Sequence, residues 1–392
     1  MNYTQLWSLV EAQRPHLLAF AQRLVQTPSM SGQEATVAIL IKAEMERLGY
    51  DWVWMDQVGN VLGHINGGDA PSLMLNGHMD HVAAGDPGHW RHSPFGGGIH
   101  QGELWGRGAA DMKGALAAMI YAGGVLKQLG RPLPGDLYVS AVVQEEVGGL
   151  GARHLARNLP VARVIVGEAS GNHLRRGHRG RVELTARFEG RSVHASMPDL
   201  GVNPHGSLAP FLVGLHALEM ASDPEYGAST VAPTRVASKP ESANVTPSSL
   251  ELVLDWRNIP GEQPEDIVAK LDALLARCLK PGCQGQIQIA TKELVSHTGF
   301  SMTYPDTFPS FNTTADHPWL ARSRELLCTA LGREVEIGVW RFATDGGHFA
   351  AAGATVLGFG PGDDAVVHTV EERVPVDQLV ESVGGYAALV FA

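Results

Sequence analysis

Residues 73–82, LMLNGHMDHV, and residues 106–114, GRGAADMKG, are the stretch from which the fold of this chain can be read. Leu73–Leu75 is a short apolar run bounded by turn signals, which reads as a buried strand. His78, Asp80 and His81 follow just past its end. Asp111 follows the turn Gly106–Gly108 and opens a helical pattern, Met112–Leu129. A histidine, an aspartate two residues on, and a second aspartate at a strand-to-helix junction form the first half of a metal site. Imidazole nitrogen and carboxylate oxygen together suit zinc or a similar divalent ion. A loop with ordinary polar residues is the plainer alternative, so the rest of the chain has to carry the reading.

On the N-terminal side, His16–Val25 is apolar at helical spacing. Ser31-Gly-Gln-Glu34 matches a capping box before a helix Ala35–Leu48. Asp51–Met55 and Val61–Ile65 read as strands joined by a turn at Gly59-Asn60. Ser72–Asn76 is the organising strand, and the glycine-rich segment 83–110 is a loop with at most a small hairpin. Downstream, Met112–Leu129 is rich in Ala and Gly and suits close packing on a sheet. The strand Asp136–Val143 ends at Gln144-Glu145-Glu146. Helix Ala152–Asn158 leads to strand Arg163–Val166, which ends at Glu168.

Strands alternating with helices predict an α/β fold, a mixed, mainly parallel sheet with helices on both faces. Ligands in such sheets bind beyond the carboxyl ends of the strands. His78, Glu145, Glu146 and Glu168 all fall at such ends. From Arg181 the pattern changes: Val182–Glu189 and Ser249–Trp256 alternate like half-exposed strands, and Pro204–Ala221 and Glu265–Leu279 read as helices. These predict a small inserted α+β domain over 182–292, between catalytic segments 1–181 and 293–392. The last segment returns to α/β order with helices Ala315–Leu331, Asp345–Ala352 and Val376–Val390 and strand Ala354–Gly358. His368 lies in the loop after that strand.

A chain of 392 residues is long for one domain. Its net charge of −11, without a Lys/Arg run, argues against nucleic acid as a partner. No apolar stretch approaches the roughly 20 residues needed to span a bilayer, which argues against membrane insertion. The start, MNYTQLWSLVEAQRPH, has no basic region followed by an apolar core, so a cytoplasmic location is expected. Cys278, Cys283 and Cys328 make no disulfide framework and fit a reducing compartment. Cys278 and Cys283 lack a second ligand pair and are expected to be simply buried.

Two ions need five or six protein ligands, one of them bridging. The chain offers His78, Asp111, Glu146, Glu168 and His368. Asp111 is the natural bridge, because a carboxylate can hold two ions about 3.5–4 Å apart. Glu145 and its neighbour Glu146 point different ways at a strand end, so one can bind metal while the other faces the water. Glu145 is thus a candidate general base, and Asp80 a candidate partner for the His78 imidazole. Taken singly, each of these acids also reads as a solvated surface carboxylate. Their common position at strand ends favours a site.

The segments NGHMDHV, GRGAADMKG, QEEVGG, GEAS, RSVHASMPDLGVN and VVHTVEE, in this order, resemble the two-metal family of aminoacylases, acetylornithine deacetylases, succinyl-diaminopimelate desuccinylases and glutamate carboxypeptidases. RGHRGRVE, YPDTFPSFNTTADHPWL, FATDGGHFA and GFGPGDD are similar to its deacetylase-like branch of hydrolases linked to selenium metabolism. The resemblance implies one ion on His78, Glu168 and Asp111, and another on Glu146, His368 and Asp111. The ions are expected to be zinc, with cobalt or manganese as alternatives. It also implies Glu145 as base, Asp80 supporting His78, and a ferredoxin-like lid and dimerisation domain.

In a homodimer joined through that lid, His194 would reach the developing oxyanion of the partner subunit. Arg179 and Arg257 match positions that bind the substrate carboxylate. Asn244 matches a residue near the carbonyl oxygen, and Thr344 and Gly346 lie in a substrate-facing loop. ATDGGHF departs from the serine/threonine-richer run of the desuccinylases, which leaves the acyl group and side chain open. The expected function is removal of an acyl group, in the first place acetyl, from an N-acyl amino acid. A dipeptidase or carboxypeptidase using the same site is the alternative. A non-catalytic binding protein is disfavoured because every position of the site holds a competent residue. A phosphodiesterase has no support, since no glycine-rich phosphate loop is present.

Overall fold

The structure, a computed structural model, describes residues 2–392. Its centre is the strand Leu73–His78, buried along its whole length. Leu73 and Leu75 join the apolar core on one face of a nine-stranded sheet, and Met74 joins the core on the other. A strand covered on both faces has no solvent side, which is why its sequence is a continuous apolar run rather than an alternation.

Four strands run parallel through the middle of this sheet, in the order Leu137–Val142, Leu73–His78, Arg163–Val166 and Thr355–Gly358. Antiparallel pairings extend it on both sides, through Val61–Ile65 to Trp52–Met55 and through Leu174–His178 to Phe311–Asn312, and the ninth strand, Ile337–Trp340, pairs in parallel with Leu174–His178. Helices Tyr3–Val25, Ala35–Arg47, Gly114–Leu129, Pro318–Leu331 and Val376–Leu389 cover one face. Leu150–Asn158 and Gly346–Ala351 cover the other. The carboxyl ends of the four parallel strands therefore open onto one edge, and the loops after them carry the candidate site.

The second sheet is all antiparallel and has its own core. Strands Arg181–Glu189, Thr230–Lys239, Ser249–Arg257 and Gln284–Ile289 alternate with helices His205–His216 and Pro264–Cys278 in the order strand, helix, strand, strand, helix, strand. The spatial order second, third, first, fourth is the ferredoxin-like arrangement. Val182, Leu184, Ala186 and Phe188 face the two helices, as the alternation predicted. The first strand starts at Arg181, one residue before the predicted boundary. Thr307–Phe308, from beyond residue 292, pairs with its first two residues.

Local readings differ in several places: the helix read as Pro204–Ala221 ends at His216, and three others follow. The first helix starts at Tyr3 rather than His16, capped by Asn2, whose side chain accepts from the Gln5 amide. Pro15 sits on its exposed side, so packing of Leu6 and Val10 outweighs one missing hydrogen bond. Ser31 and Glu34 do not form a capping box, although the helix does begin at Ala35. Ser31 Oγ donates to Asp80 instead, and Glu34 accepts from the amides of Gly32 and Gln144. Finally, the helix predicted from Met112 starts at Gly114, because Asp111 and Met112 have non-helical backbone angles. Among the described residues, no helix is long and apolar enough to cross a membrane.

Candidate metal centre

Gly108 adopts a left-handed conformation, φ 80°, and turns the chain into the kink that holds Asp111. The backbone amides of Ala110 and Asp111 both donate to Glu372, each at 3.2 Å. Arg107 pairs with the same carboxylate. Glu372 is fully buried and belongs to the segment that carries His368. Thus Asp111 is fixed by a residue the sequence reading did not single out. Its signal was present in VVHTVEE as a second acid after the candidate ligand.

So placed, the two oxygens of Asp111 face different imidazoles. His78 Nε2 lies 2.9 Å from Oδ1, and His368 Nε2 lies 2.8 Å from Oδ2. Glu168 completes one group, 3.5 Å from His78 Nε2, and Glu146 the other, 3.1 Å from His368 Nε2. Within each group of three, His78–Asp111–Glu168 and Asp111–Glu146–His368, one ligand atom per residue lies within 4.8 Å of the others. His368 itself adopts φ 61°, a conformation a non-glycine residue rarely takes outside constrained sites.

The Asp80 carboxylate, fully buried, does more than face His78. Its nearer contact with His78 Nδ1 is through the backbone carbonyl, at 3.0 Å, with the carboxylate at 3.4 Å. Oδ1 accepts from the Glu145 amide at 3.0 Å and Oδ2 from the Glu146 amide at 3.2 Å. Asp80 therefore ties the end of one parallel strand to the turn after the next, and holds Glu145 and Glu146 in place.

Electrostatics describe a cage short of positive charge. Burial raises the Glu145 carboxyl well above its ordinary value, with Asp345 adding to the rise. Burial and Asp111 push Glu146 up to about 7. Burial raises Glu168 as well. Burial disfavours charge on Asp111 too, but hydrogen bonds from His368 and His78 hold its carboxyl well below the usual range. Bonds to Asp111 and Glu146 raise His368 to about 10. Carboxylates crowded in a buried pocket and competing for protons are a donor set that a divalent cation satisfies, releasing those protons. The five residues fit a pair of such ions.

A cavity of about 560 Å³ opens on this cluster, lined by Asp111, Glu145, Glu146, Glu168 and His368 at one end. Val147, Arg181, Arg257, Lys292, Phe308, Phe342, Ala343, Asp364 and Val367 line the remainder. The expected binding residues divide. Arg257 is in the cavity. Arg179 is not: its guanidinium donates to Thr230 Oγ1 and the Arg257 carbonyl. Thr344 and Gly346 are buried behind the wall, where Thr344 N–H donates to His178 Nε2 and Gly346 N–H to Thr344 Oγ1. Their neighbours Phe342 and Ala343 face the cavity instead. His194 and Asn244 lie close together on the second sheet's domain: His194 bridges Val245, and the Asn244 carbonyl accepts from Ala195. Both side chains are exposed, and neither lines this cavity within one chain. Arg181 and Lys292 line it without having been anticipated.

Comparison with known proteins agrees with this geometry. The model of peptidase family M20/M25/M40 matches residues 74–392. The Escherichia coli (strain K12) uncharacterized protein YgeY is 30% identical over 379 residues, covering 94% of this chain and 92% of its own. The N-formyl-4-amino-5-aminomethyl-2-methylpyrimidine deformylase of Bacillus subtilis (strain 168) is 28% identical over 417 residues, covering 96% and 95%. Among solved structures, aminopeptidase PepT from Bacillus cereus ATCC 10987 shares the fold, with a TM-score of 0.75, 20% identity and coverage of 96% and 98%. The chain belongs to peptidase family M20/M25/M40 and is a hydrolase of amide bonds with a candidate two-metal site.

Proposed function

We propose that this member of the M20/M25/M40 family removes an acyl group, in the first place acetyl, from N-acyl amino acids at a centre of two divalent ions. One observation carries the reading: the two oxygens of Asp111 face His78 and His368 separately, so this residue belongs to both groups of ligands. One ion falls to His78, Glu168 and Asp111, the other to Glu146, His368 and Asp111. The mixture of imidazole and carboxylate suits zinc, with cobalt and manganese as the competing ions.

Two such ions, when bound, polarise the amide carbonyl and make the attacking water acidic. Glu145 takes the proton from that water and returns it to the leaving amine. Its burial suits a base that must also act as an acid. Asp80 holds the turn on which Glu145 stands. His194 and Asn244, from the lid of a partner subunit, approach the developing oxyanion and the carbonyl oxygen. Arg257 lies on the wall where the rest of the substrate sits.

A homodimer through the lid is supported by the strand Thr230–Lys239, bonded on one side only and exposed along most of its length. The three cysteines are unpaired, in keeping with a reducing cytoplasm. That a relative is named a deformylase supports deacylation. A dipeptidase or carboxypeptidase would use the same residues, so kinetics decide.

The deciding experiment is a turnover panel on metal-reconstituted protein. It contains N-acetyl, N-formyl, N-carbamoyl and N-succinyl amino acids beside plain dipeptides, each with and without chelator. Chelator-sensitive release from acylated amino acids, with dipeptides inert, is the expected result. Chelator-sensitive cleavage of dipeptides alone would move the activity to the peptidases.

A further inference from the structure

Three basic side chains line the cavity: Arg181, Arg257 and Lys292. They are not equally free. Arg181 is committed to three carboxylates, Asp255 at 2.8 Å, Glu183 at 2.6 Å and Asp306 at 3.1 Å. Arg257 is bound to Asp255 through Nε at 2.6 Å and Nη2 at 3.3 Å. Lys292, half-buried, has no ion pair and no side-chain hydrogen bond among the described residues. Of the three cations lining the cavity, Lys292 is therefore the one whose charge is not already taken up by a carboxylate of the protein.

Lys292 is also held in a fixed relation to the catalytic turn. It stands on the hairpin Thr291–Val295 and Ser301–Pro305, directly opposite Tyr304. Residues opposite one another in such a pair share a face. The Tyr304 ring lies under the Arg153 guanidinium at 4.1 Å, and Arg153 donates to the Gly148 carbonyl at 2.9 Å. Gly148, two residues past Glu146, adopts φ 148°, and a Cβ there would meet Tyr304 Oη at 2.5 Å. At the far end of the same strand, the Val295 carbonyl accepts from Gln144 Nε2 at 2.8 Å. The hairpin is thus fastened to the segment bearing Glu145 and Glu146 at both of its ends.

We infer that Lys292 is the specificity-determining residue that receives the substrate's free carboxylate. This rests on the hydrolase reading above and replaces Arg179, which lies outside the cavity, as the anchor. A carboxylate held by Lys292 sets the distance from that group to the scissile amide, because the lysine and Glu145 stand on one fastened unit. The substrate class is then an acylated or peptidyl amino acid with its α-carboxylate free, and esters or amides of that carboxylate are poor substrates.

The test compares an N-acetyl amino acid with its methyl ester. For the wild type, kcat/KM is expected to favour the acid by about 10–100-fold, mostly through KM, the range of a charge-assisted hydrogen bond. Lys292→Met should bring the two within about threefold, with KM for the acid raised more than kcat is lowered, and Lys292→Arg should restore part of the preference. An undiminished preference in Lys292→Met, or none in the wild type, would overturn the inference. If N-acyl amino acids are not turned over and dipeptides are, the deacylase reading falls. The same comparison then runs on dipeptides with free or amidated C-termini. Calorimetric binding of acid and ester to metal-free protein gives a readout without turnover: equal affinities in the wild type count against Lys292.

Discussion

At the scale of single residues, the candidate site is held together by carboxylates that accept from backbone amides. Glu145 has no structural task comparable to that of Asp80 or Glu372, which makes it the cleanest probe of chemistry. Glu145→Gln is expected to keep two bound ions, measured by elemental analysis, and to lose about 10²–10⁴-fold in kcat. Wild-type turnover in that variant would remove Glu145 from the mechanism. Glu372→Ala should do the reverse. It leaves the amides of Ala110 and Asp111 without their acceptor and frees the Asp111 turn, so metal affinity should fall about 10–100-fold in a competition titration with a chelator. The five candidate ligands were legible because each lies at or after the end of a strand or just ahead of a helix. Glu372 was not, since its role is to bond amides 261 and 262 residues away in the chain. Lys292 escaped for a different reason: a lone lysine in a polar segment has no pattern around it, and only the cavity gives it meaning.

At the scale of elements, patterns reported burial well and local hydrogen bonding poorly. The buried strand read as Ser72–Asn76, observed at Leu73–His78, and the alternation from Val182 were readable, because which face is covered is written in the period of apolar residues. Ser31 and Glu34 misled because a capping box competes with every other acceptor and donor in reach. Here Asp80 and the Gln144 amide won. Such buried ties also hold elements together. Glu44 on Ala35–Arg47 accepts from Tyr121 Oη on Gly114–Leu129 at 2.5 Å and from Arg47 at 2.7 Å. Burial opposes its charge, but these bonds hold the carboxyl below its ordinary value. A lowered carboxylate contributes stability that is present above the unfolded value, about 4.3, and lost as pH falls through the folded one. Glu44→Gln should therefore cost about 1.5–3 kcal/mol in urea unfolding at pH 7. The gap to wild type should close as the pH is taken below 4, and a gap that does not change with pH would assign the loss to packing alone.

At the scale of the whole molecule, one fact stands out from the division of the expected site. The candidate ligands and the candidate base gather at one sheet edge, while His194 and Asn244 sit exposed on the other domain and do not line the cavity of their own chain. Two routes would bring them to the chemistry: a large closure within one chain, or a partner subunit. The long exposed strand Thr230–Lys239 at the edge of the second sheet favours the partner, since an unpaired edge is a template for another chain. The routes separate in a mixing experiment. His194→Ala and Glu145→Gln should each be nearly inactive as pure proteins with metal content intact. If His194 serves its own chain, every subunit in a mixture carries one defect and no activity returns. If it serves the partner, each mixed dimer contains one site with Glu145 from one chain and His194 from the other, both intact, and a second site with neither. Half of the dimers in an equal mixture at random exchange are mixed, and each has one working site of two, so activity should recover to about a quarter of wild type. Subunit exchange must be followed in the same sample, by mass or by energy transfer between labels. Complete exchange without recovered turnover would leave closure within one chain as the only route for His194.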